Sequence, residues 1–518
     1  AIDCPIDFCA AIDRESQPTM RLNIGQNGIV WRQEDGTAVI LRPGRTGGKP
    51  VRIEVPTELA DEFRLAMGDV VEGEIEAISF DEQPEYDEQP EYDEQSQDGR
   101  VSAIVRVSDS TVSDSTMVST SDDPSRSLYR EDDVDPSDSQ RDEPTDLSGA
   151  TRYFHASTNS FLSARLVTIA RINGLEGAAV EERPFPRRRN ASERLALHRH
   201  LTLAKDADDF TGRLLDFAAP LGMGAMGIVH GAHGSGLTRS LLAVAAGITQ
   251  NDPDILIFIL LLKARGEEMT DWRRRFPDAE IVVCPTLQDG ASPEQTLRMA
   301  DLVLACAQRQ TELGRHVLML VDSLTGIWAS MLEAEGADEQ SSADQSAARQ
   351  RMREWVQKAG DFGGEGPLGG SLGGSLTIVG SLWNQEPDAE AEEDRELHPH
   401  LRLLEHILHE TNWRIALSDD LARRKLYPTI DVLLSEAAND RILLSEEEYA
   451  LRSVARQQIK PNLVQIRFQT LMELLDTTPD NTTMLRALAE GAAARPDARA
   501  RWDSLFGSSS NPDAEVNS

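Results

Sequence analysis

Residues 226–250 read "MGIVHGAHGSGLTRSLLAVAAGITQ": a short apolar run, a glycine-rich loop and a segment with helical periodicity. That order is the layout of a phosphate-cradling loop, G-x-x-x-x-G-K-[ST], whose glycines let backbone N–H groups approach the phosphates while a lysine meets the outer two. Gly231, Gly236 and Thr238 hold the frame, with Gly234 and Ser235 inside it. Leu237 stands at the lysine position.

Outward from the loop, "DILIFILLL", "AEIVVCPT", "HVLMLVDS" and "GSLTIVGSLW" are β-rich runs separated by helical patterns, which predicts an α/β domain with a doubly wound, largely parallel sheet. On such a sheet a glycine loop after a strand has a function to perform. The duplication "GGSLGGSL" at Gly369 to Leu376 reads as a lengthened turn before the last of these strands. Beyond Leu443, "LLSEEEYALRSVARQQI" and "VQIRFQTLMELLDT" have amphipathic helical spacing.

The 518 residues suffice for several domains, and 40% hydrophobic content can bury a large core. The longest apolar run, Ile255 to Leu262, falls far short of the roughly 20 residues that span a bilayer and suits a buried parallel strand. The opening "AIDCPIDFCAAIDRES" lacks a basic stretch and carries early acids, unlike a secretory signal, so a cytoplasmic location and no membrane partner are expected. Cys4, Cys9, Cys284 and Cys306 have no paired C-x-x-C spacing and read as reduced structural thiols. A net charge of −36 opposes binding to phosphate backbones.

Much of that acid is local. Residues 81–150 hold 21 Asp and Glu against 5 Arg, with tandem copies of "DEQPEY" and of "VSDST", a composition too poor in apolar residues to offset the entropy of ordering. We expect a disordered acidic insertion there. Before it, "GIVWRQEDGTAVILRP", "VRIEVP" and "MGDVVEGEIEAI" read as short strands around an Asp-Gly turn and a Gly-Asp corner, and "RLVTIARING" after it supplies one more. Five short strands suit an OB-type β-barrel. The expected organisation is a tail over 1–20, the barrel from 21–80 and 151–180, the insertion over 81–150, a linker over 181–210, a P-loop domain over 211–470, C-terminal helices over 471–506 and a disordered tail over 507–518.

Taken together, "RLLDFAAPLGMGAMGIVHGAHGSGLT" (Arg213 to Thr238), "LLLKARGEEMTDW" (Leu260 to Trp272), "VLMLVDSLTGIWAS" (Val317 to Ser330), "GGSLTIVGSL" and "LARRKLYPTID" (Leu421 to Asp431) resemble, in order and spacing, the transcription termination factor Rho family. The resemblance implies a RecA-like motor behind an OB-type RNA-binding domain, a hexameric homo-oligomer, RNA as partner and ATP with magnesium as cofactors. It further implies nucleotide contacts from Gly231, Gly234, Ser235, Gly236, Thr238 and Tyr427, the last matching an aromatic that packs on adenine. Thr238 and Asp322 would serve magnesium, Arg265 matches an arginine facing the nucleotide, and Arg42 is retained on the RNA side. RNA polymerase or an intact Rho are further partners that the resemblance suggests.

Other family positions are changed. Leu237 replaces the P-loop lysine, Ala264 the water-activating glutamate, Ala438 the arginine finger, Gly326 an arginine after the Asp322 strand and Leu408 an RNA-gripping lysine. Met223, Ala225 and Met226 replace polar or basic residues, and Ala38, Ile40 and Glu54 stand near the base-stacking positions. Phosphoryl transfer rests on positioning and charge neutralisation, so losing cation, base and finger together removes most of its basis. Three readings follow: a ring subunit with impaired hydrolysis that binds or regulates; an active RNA-dependent ATPase with Lys263 or Arg239 as relocated cation; or an acidic scaffold acting through its insertion. The basic run Arg187 to Arg189 is a counter-signal to the acidic balance, read as a solvated linker.

Overall fold

Continuous apolar runs become the middle of one large sheet. In the computed structural model, which describes residues 28–32, 37–42, 51–77, 101–104, 153–156, 164–183, 197, 199–262, 265–284, 291–335, 345–362, 374–383, 407–459 and 463–489, the N-terminal strands are β1 (Ile29–Arg32), β2 (Ala38–Arg42), β3 (Val51–Val55), β4 (Val71–Glu72), β5 (Ile75–Ala77), β6 (Val101–Ile104), β7 (Tyr153–Ala156), β8 (Ala164–Leu166), β9 (Arg171–Ile172), β10 (His200–Leu201) and β11 (Leu221–Gly222). They are followed by β12 (Met226–Gly231), β13 (Leu256–Leu262), β14 (Glu280–Cys284), β15 (His316–Asp322), β16 (Gly360–Asp361), β17 (Ser375–Trp383), β18 (Trp413–Ala416) and β19 (Glu436–Ala437). The large sheet runs β14-β13-β15-β17-β12-β18-β19. Every pairing from β14 to β18 is parallel, while β19 joins β18 and β16 joins β17 antiparallel.

This is the P-loop ATPase-type, doubly wound architecture that the alternating pattern predicts. Strand β13, "LIFILLL", is buried along nearly its whole length because helices cover both faces of a parallel sheet. Strand β17 separates the loop strand β12 from the Asp322 strand β15, and residues 375 and 376 of the "GGSL" duplication belong to it rather than to a turn. The two C-terminal amphipathic patterns fold as helices Glu446–Ile459 and Val464–Thr477. No helix among the described residues is long and apolar enough to cross a membrane.

The N-terminal strands form a five-stranded sheet ordered β1-β2-β3-β8-β5, with β3 parallel to β8 and the other pairs antiparallel, and a bridge from Ile29 to Val70. Inserting the last strand between the third and fourth is consistent with an OB-like region. The sequence patterns read as single strands, "MGDVVEGEIEAI" and "RLVTIARING", are each broken in two, and β4 pairs with β9. The acidic insertion is not featureless: β6 lies inside it and pairs antiparallel with β7. The remainder of 81–150 lies outside the described residues, as do both tails, Cys4, Cys9 and Arg187 to Arg189.

Helix Pro293–Glu312 joins the two units. Its start is fixed by a capping box, Ser292 with Gln295, and by Pro293 at the first helical position. Its apolar face shares one cluster with Ile29, Val39, Leu41 and Val70 of the barrel. Gly68, at φ 89°, lies so close to the helix that a Cβ would stand 2.5 Å from the Ala305 carbonyl carbon, so only glycine serves there. Beside it, the buried Asp69 carboxylate accepts from Arg309 Nε at 2.9 Å and from Asn173 Nδ2 at 2.7 Å, and Gln310 Nε2 donates to Asn173 Oδ1 at 3.2 Å.

Candidate nucleotide-binding site

The chain leaves β12 at Gly231 and turns into the helix Leu237–Asn251 at Gly236, whose φ of 103° is the left-handed conformation that glycine alone adopts readily. Two later residues close on this loop. The Thr429 hydroxyl donates to the Ser235 carbonyl at 2.5 Å, and the Tyr427 hydroxyl donates to the Gly234 carbonyl at 3.1 Å. The Tyr427 ring lies 3.7 Å from where a Cβ on Gly236 would stand, and the Arg239 guanidinium carbon is 4.9 Å from the ring centroid, a cation–π contact over the loop.

Thr238, on the first turn of the helix, donates to Asp322 Oδ2 at 2.7 Å, and Ser381 on β17 donates to Asp322 Oδ1 at 2.5 Å. Burial pushes the Asp322 carboxyl above its ordinary range; the hydroxyls of Ser381 and Thr238 pull it down, and the charge of Glu268 adds to the rise. Glu268 therefore sits close enough to be felt at the site. At the end of the loop strand, burial and then the Arg414 charge depress the His230 imidazole to about 4, which keeps it neutral at physiological pH.

The donor set fits a magnesium nucleotide. Ser235 Oγ is buried inside the loop with no hydrogen-bond partner among the described residues, a polar atom left over where phosphate oxygens would pass. Magnesium asks for one or two carboxylates plus water and phosphate oxygens, so Thr238 and Asp322 suffice as its protein side. Bound there, it would neutralise phosphate charge. Leu237 contributes no cation: it is half-buried and packs against the apolar core beneath the loop.

Thus Gly231, Gly234, Ser235, Gly236, Thr238, Asp322 and Tyr427 are brought together, while the other family positions are scattered. Arg265 is an exposed helix cap whose guanidinium pairs with Glu268 at 3.1 Å. Ala438 occupies an exposed turn, its N–H donating to Asn412 O at 2.9 Å. Leu408 opens a short 3-10 turn. At Gly326 a Cβ would already stand 3.1 Å from Leu262 Cβ, so a longer side chain would need that leucine to move. Lys263 and Ala264 lie outside the described residues.

On the barrel, Arg42 ends β2 opposite Val51. The resemblance placed Ala38 and Ile40 near a stacking surface, but the structure buries both in the core of the N-terminal sheet. Their neighbours Val39 and Leu41 are buried in the cluster shared with helix Pro293–Glu312, so both faces of β2 are covered. Glu54 alone of the three is exposed. Sequence reasoning missed Ser381, Thr429 and Glu268; a serine inside the apolar run "LTIVGSLW" was the available signal for the first.

Residues 212–437 match the ATP synthase alpha/beta family, nucleotide-binding domain. Among curated proteins, the transcription termination factor Rho of Streptomyces coelicolor is 29% identical over 294 residues, covering 56% of this chain and 65% of the relative. Rho of Thermotoga maritima is 27% identical over 289 residues, 55% of this chain and 62% of the relative. Over about half its length the chain is thus similar to Rho termination factors at 27–29% identity. It spans somewhat less than two thirds of these Rho relatives, and 56% of Rho from Salmonella typhimurium, to which it is 27% identical. A solved prototypical ATPase from the type III secretion system of pathogenic bacteria is also similar, with a TM-score of 0.42 at 13% identity, covering 58% of this chain and 87% of that one.

Proposed function

We propose that the chain is a Rho-like nucleotide-binding subunit of a homo-oligomeric ring, acting in transcription termination as a binding or regulatory component with impaired ATP hydrolysis. One observation carries the reading: the Thr238, Asp322 and Ser381 contacts are kept while Leu237 turns the lysine position into core packing. Binding asks for the loop backbone and the magnesium side, and these remain; catalysis asks for charge at the transferring phosphoryl group. The match to Rho supports RNA, and an intact Rho or RNA polymerase, as the partners to test. Arg239 favours a second reading, an active ATPase with a relocated cation, because its guanidinium already lies over the loop on Tyr427.

The test is titration with a fluorescent ATP analogue and magnesium, on protein whose mass in solution is measured. The chain binds weakly, Asp322→Ala binds more weakly still, and Leu237→Lys tightens binding about tenfold, the worth of one charge-assisted contact of about 1.4 kcal/mol. Equal binding by the chain and Asp322→Ala would remove the nucleotide from the proposal.

RNA binding follows from the barrel. With both faces of β2 buried and a net charge of −36, base stacking worth about 1–3 kcal/mol per base is missing and few cations replace it. Labelled pyrimidine-rich and purine-rich single strands should bind weakly and alike, and release as salt rises to physiological strength. Tight pyrimidine-selective binding at that salt would contradict the closed barrel face.

A further inference from the structure

A cleft of about 360 Å³, sharing no lining residue with the P-loop, opens between β10, the helix Phe210–Ala218 and the C-terminal helices Glu446–Ile459 and Asn481–Ala489. Its wall includes His200, Lys205, Arg213, Asp216, Glu448 and Arg452. Arg452 is the unusual member. It is 5% exposed, its Nη2 is buried without a hydrogen-bond partner, and it makes no ion pair among the described residues. Its guanidinium carbon lies 6.0 Å from the Phe217 ring centroid, another residue of the same wall.

Three of the carboxylates nearby are already committed, while Asp440 acts on Arg452 through its charge. Asp216 accepts from the Leu203 and Ala204 backbone N–H groups at 2.9–3.0 Å. Glu448 accepts from Ser445 N and Oγ at 3.2 and 2.8 Å, and Asp480 from Thr483 N at 2.7 Å. The second arginine is equally occupied: Arg213 donates to the Ala207, Leu475 and Thr478 carbonyls, to Thr478 Oγ1 and to Asn481 Oδ1. Left over are Arg452 and, on the same wall, His200 Nε2, which is buried without a hydrogen bond and 3.7 Å from Asp216 Oδ1. Lys205, with a side chain 38% exposed, stands at the rim and reaches Asp209 only at 4.0 Å.

From this arrangement we infer that the cleft is a binding site for a phosphate-class oxyanion, held by the Arg452 guanidinium from within, by His200 Nε2–H beside it and by Lys205 at the entrance. A guanidinium keeps its charge in proteins, and an uncompensated buried charge is among the costliest features a fold can carry. Water can accept its protons but cannot neutralise it. An oxyanion does both, and the planar N–H fork matches two of its oxygens at once. Burial, and then the neighbouring Arg456 charge, lower the Arg452 guanidinium to about 10, against the pull of Asp440, Asp216 and Glu448. At about 360 Å³ the cleft exceeds inorganic phosphate and lies at the lower end of small-molecule sites, so the phosphate of an organic ligand fits as well.

The test is thermal melting of the full chain in inorganic phosphate, and in a sugar phosphate, against sodium chloride of equal ionic strength. Phosphate should raise the melting midpoint by roughly 3 °C, the shift expected of a ligand at several times its Kd. Arg452→Met should abolish the rise yet melt in chloride at or above the parent, because it removes a buried unpaired charge. A purely structural arginine would instead lower that midpoint. His200→Gln should show a reduced rise even if Arg452→Met folds poorly, and neither residue touches the P-loop, which separates this cleft from it. A larger rise with sugar phosphate than with inorganic phosphate identifies an organic ligand; the reverse identifies the free ion. No rise in the parent, a rise retained in Arg452→Met, or a full rise in His200→Gln would each overturn the assignment.

Discussion

Hydrolysis of Mg-ATP by this chain is expected to equal that of its Asp322→Ala variant, with or without single-stranded RNA. An arginine finger contributes roughly 10³ to 10⁵ in rate and a positioned general base about 10² to 10⁴, and these contributions act on the same charge development. The resemblance to Rho puts the finger position at Ala438, which lies in an exposed turn, and the base position at Ala264. With Leu237 packed against the core, the phosphoryl group would meet only backbone N–H groups and the magnesium side. Leu237→Lys restores one of the three missing groups, and its stem can follow the leucine's path while the ammonium reaches out. It should therefore improve binding and leave turnover at the baseline. RNA-stimulated turnover that Asp322→Ala abolishes would refute this. Arg239→Ala would then become the informative variant, since Arg239 is the described cation that lies over the loop on Tyr427.

The large sheet was legible because its strands are continuous apolar runs separated by helical spacing, a pattern that only a sheet covered on both faces satisfies. The loop was legible through its glycines, whose spacing encodes backbone conformation. The contacts that complete the site were less so, since Ser381 reaches Asp322 from 59 residues away and Thr429 reaches Ser235 from 194. The barrel shows a different limit. Strand β2 reads "AVILR", and alternation carries no information about direction when both faces are buried in apolar surroundings, so the run itself gave no sign that Ala38 and Ile40, set near stacking positions by the resemblance, would be buried. Asp69, read as part of a Gly-Asp corner, gave no sign of a partner 240 residues on.

That pair sets the second large effect. Arg309→Met should destabilise the junction of barrel and P-loop domain by roughly 3–5 kcal/mol, the range for removing one partner of a buried ion pair. Both side chains are almost fully buried, at 3% and 0% exposure, so solvent cannot replace the lost partner. Burial works against the Arg309 charge, but the Asp69 carboxylate beside it, with Glu312, more than offsets this and raises the guanidinium above its ordinary value. The consequences extend beyond the pair, because Asp69 also fixes Asn173 and the Ala66 N–H, and Asn173 in turn binds Val70 N and Gln310. A unit linked only by surface contacts would tolerate the substitution. A junction with this network should lose hydrogen-exchange protection in β1, β2 and helix Pro293–Glu312 together, while the strands around Asp322 keep theirs. Combining Arg309→Met with Asp69→Leu should recover only part of the loss, since Glu312 then loses Arg309 and Arg183 loses Asp69, both nearly buried. If Arg309→Met shifts neither the denaturant midpoint nor the protection of these segments, the barrel is held by its apolar face alone, and the polar network contributes register rather than stability.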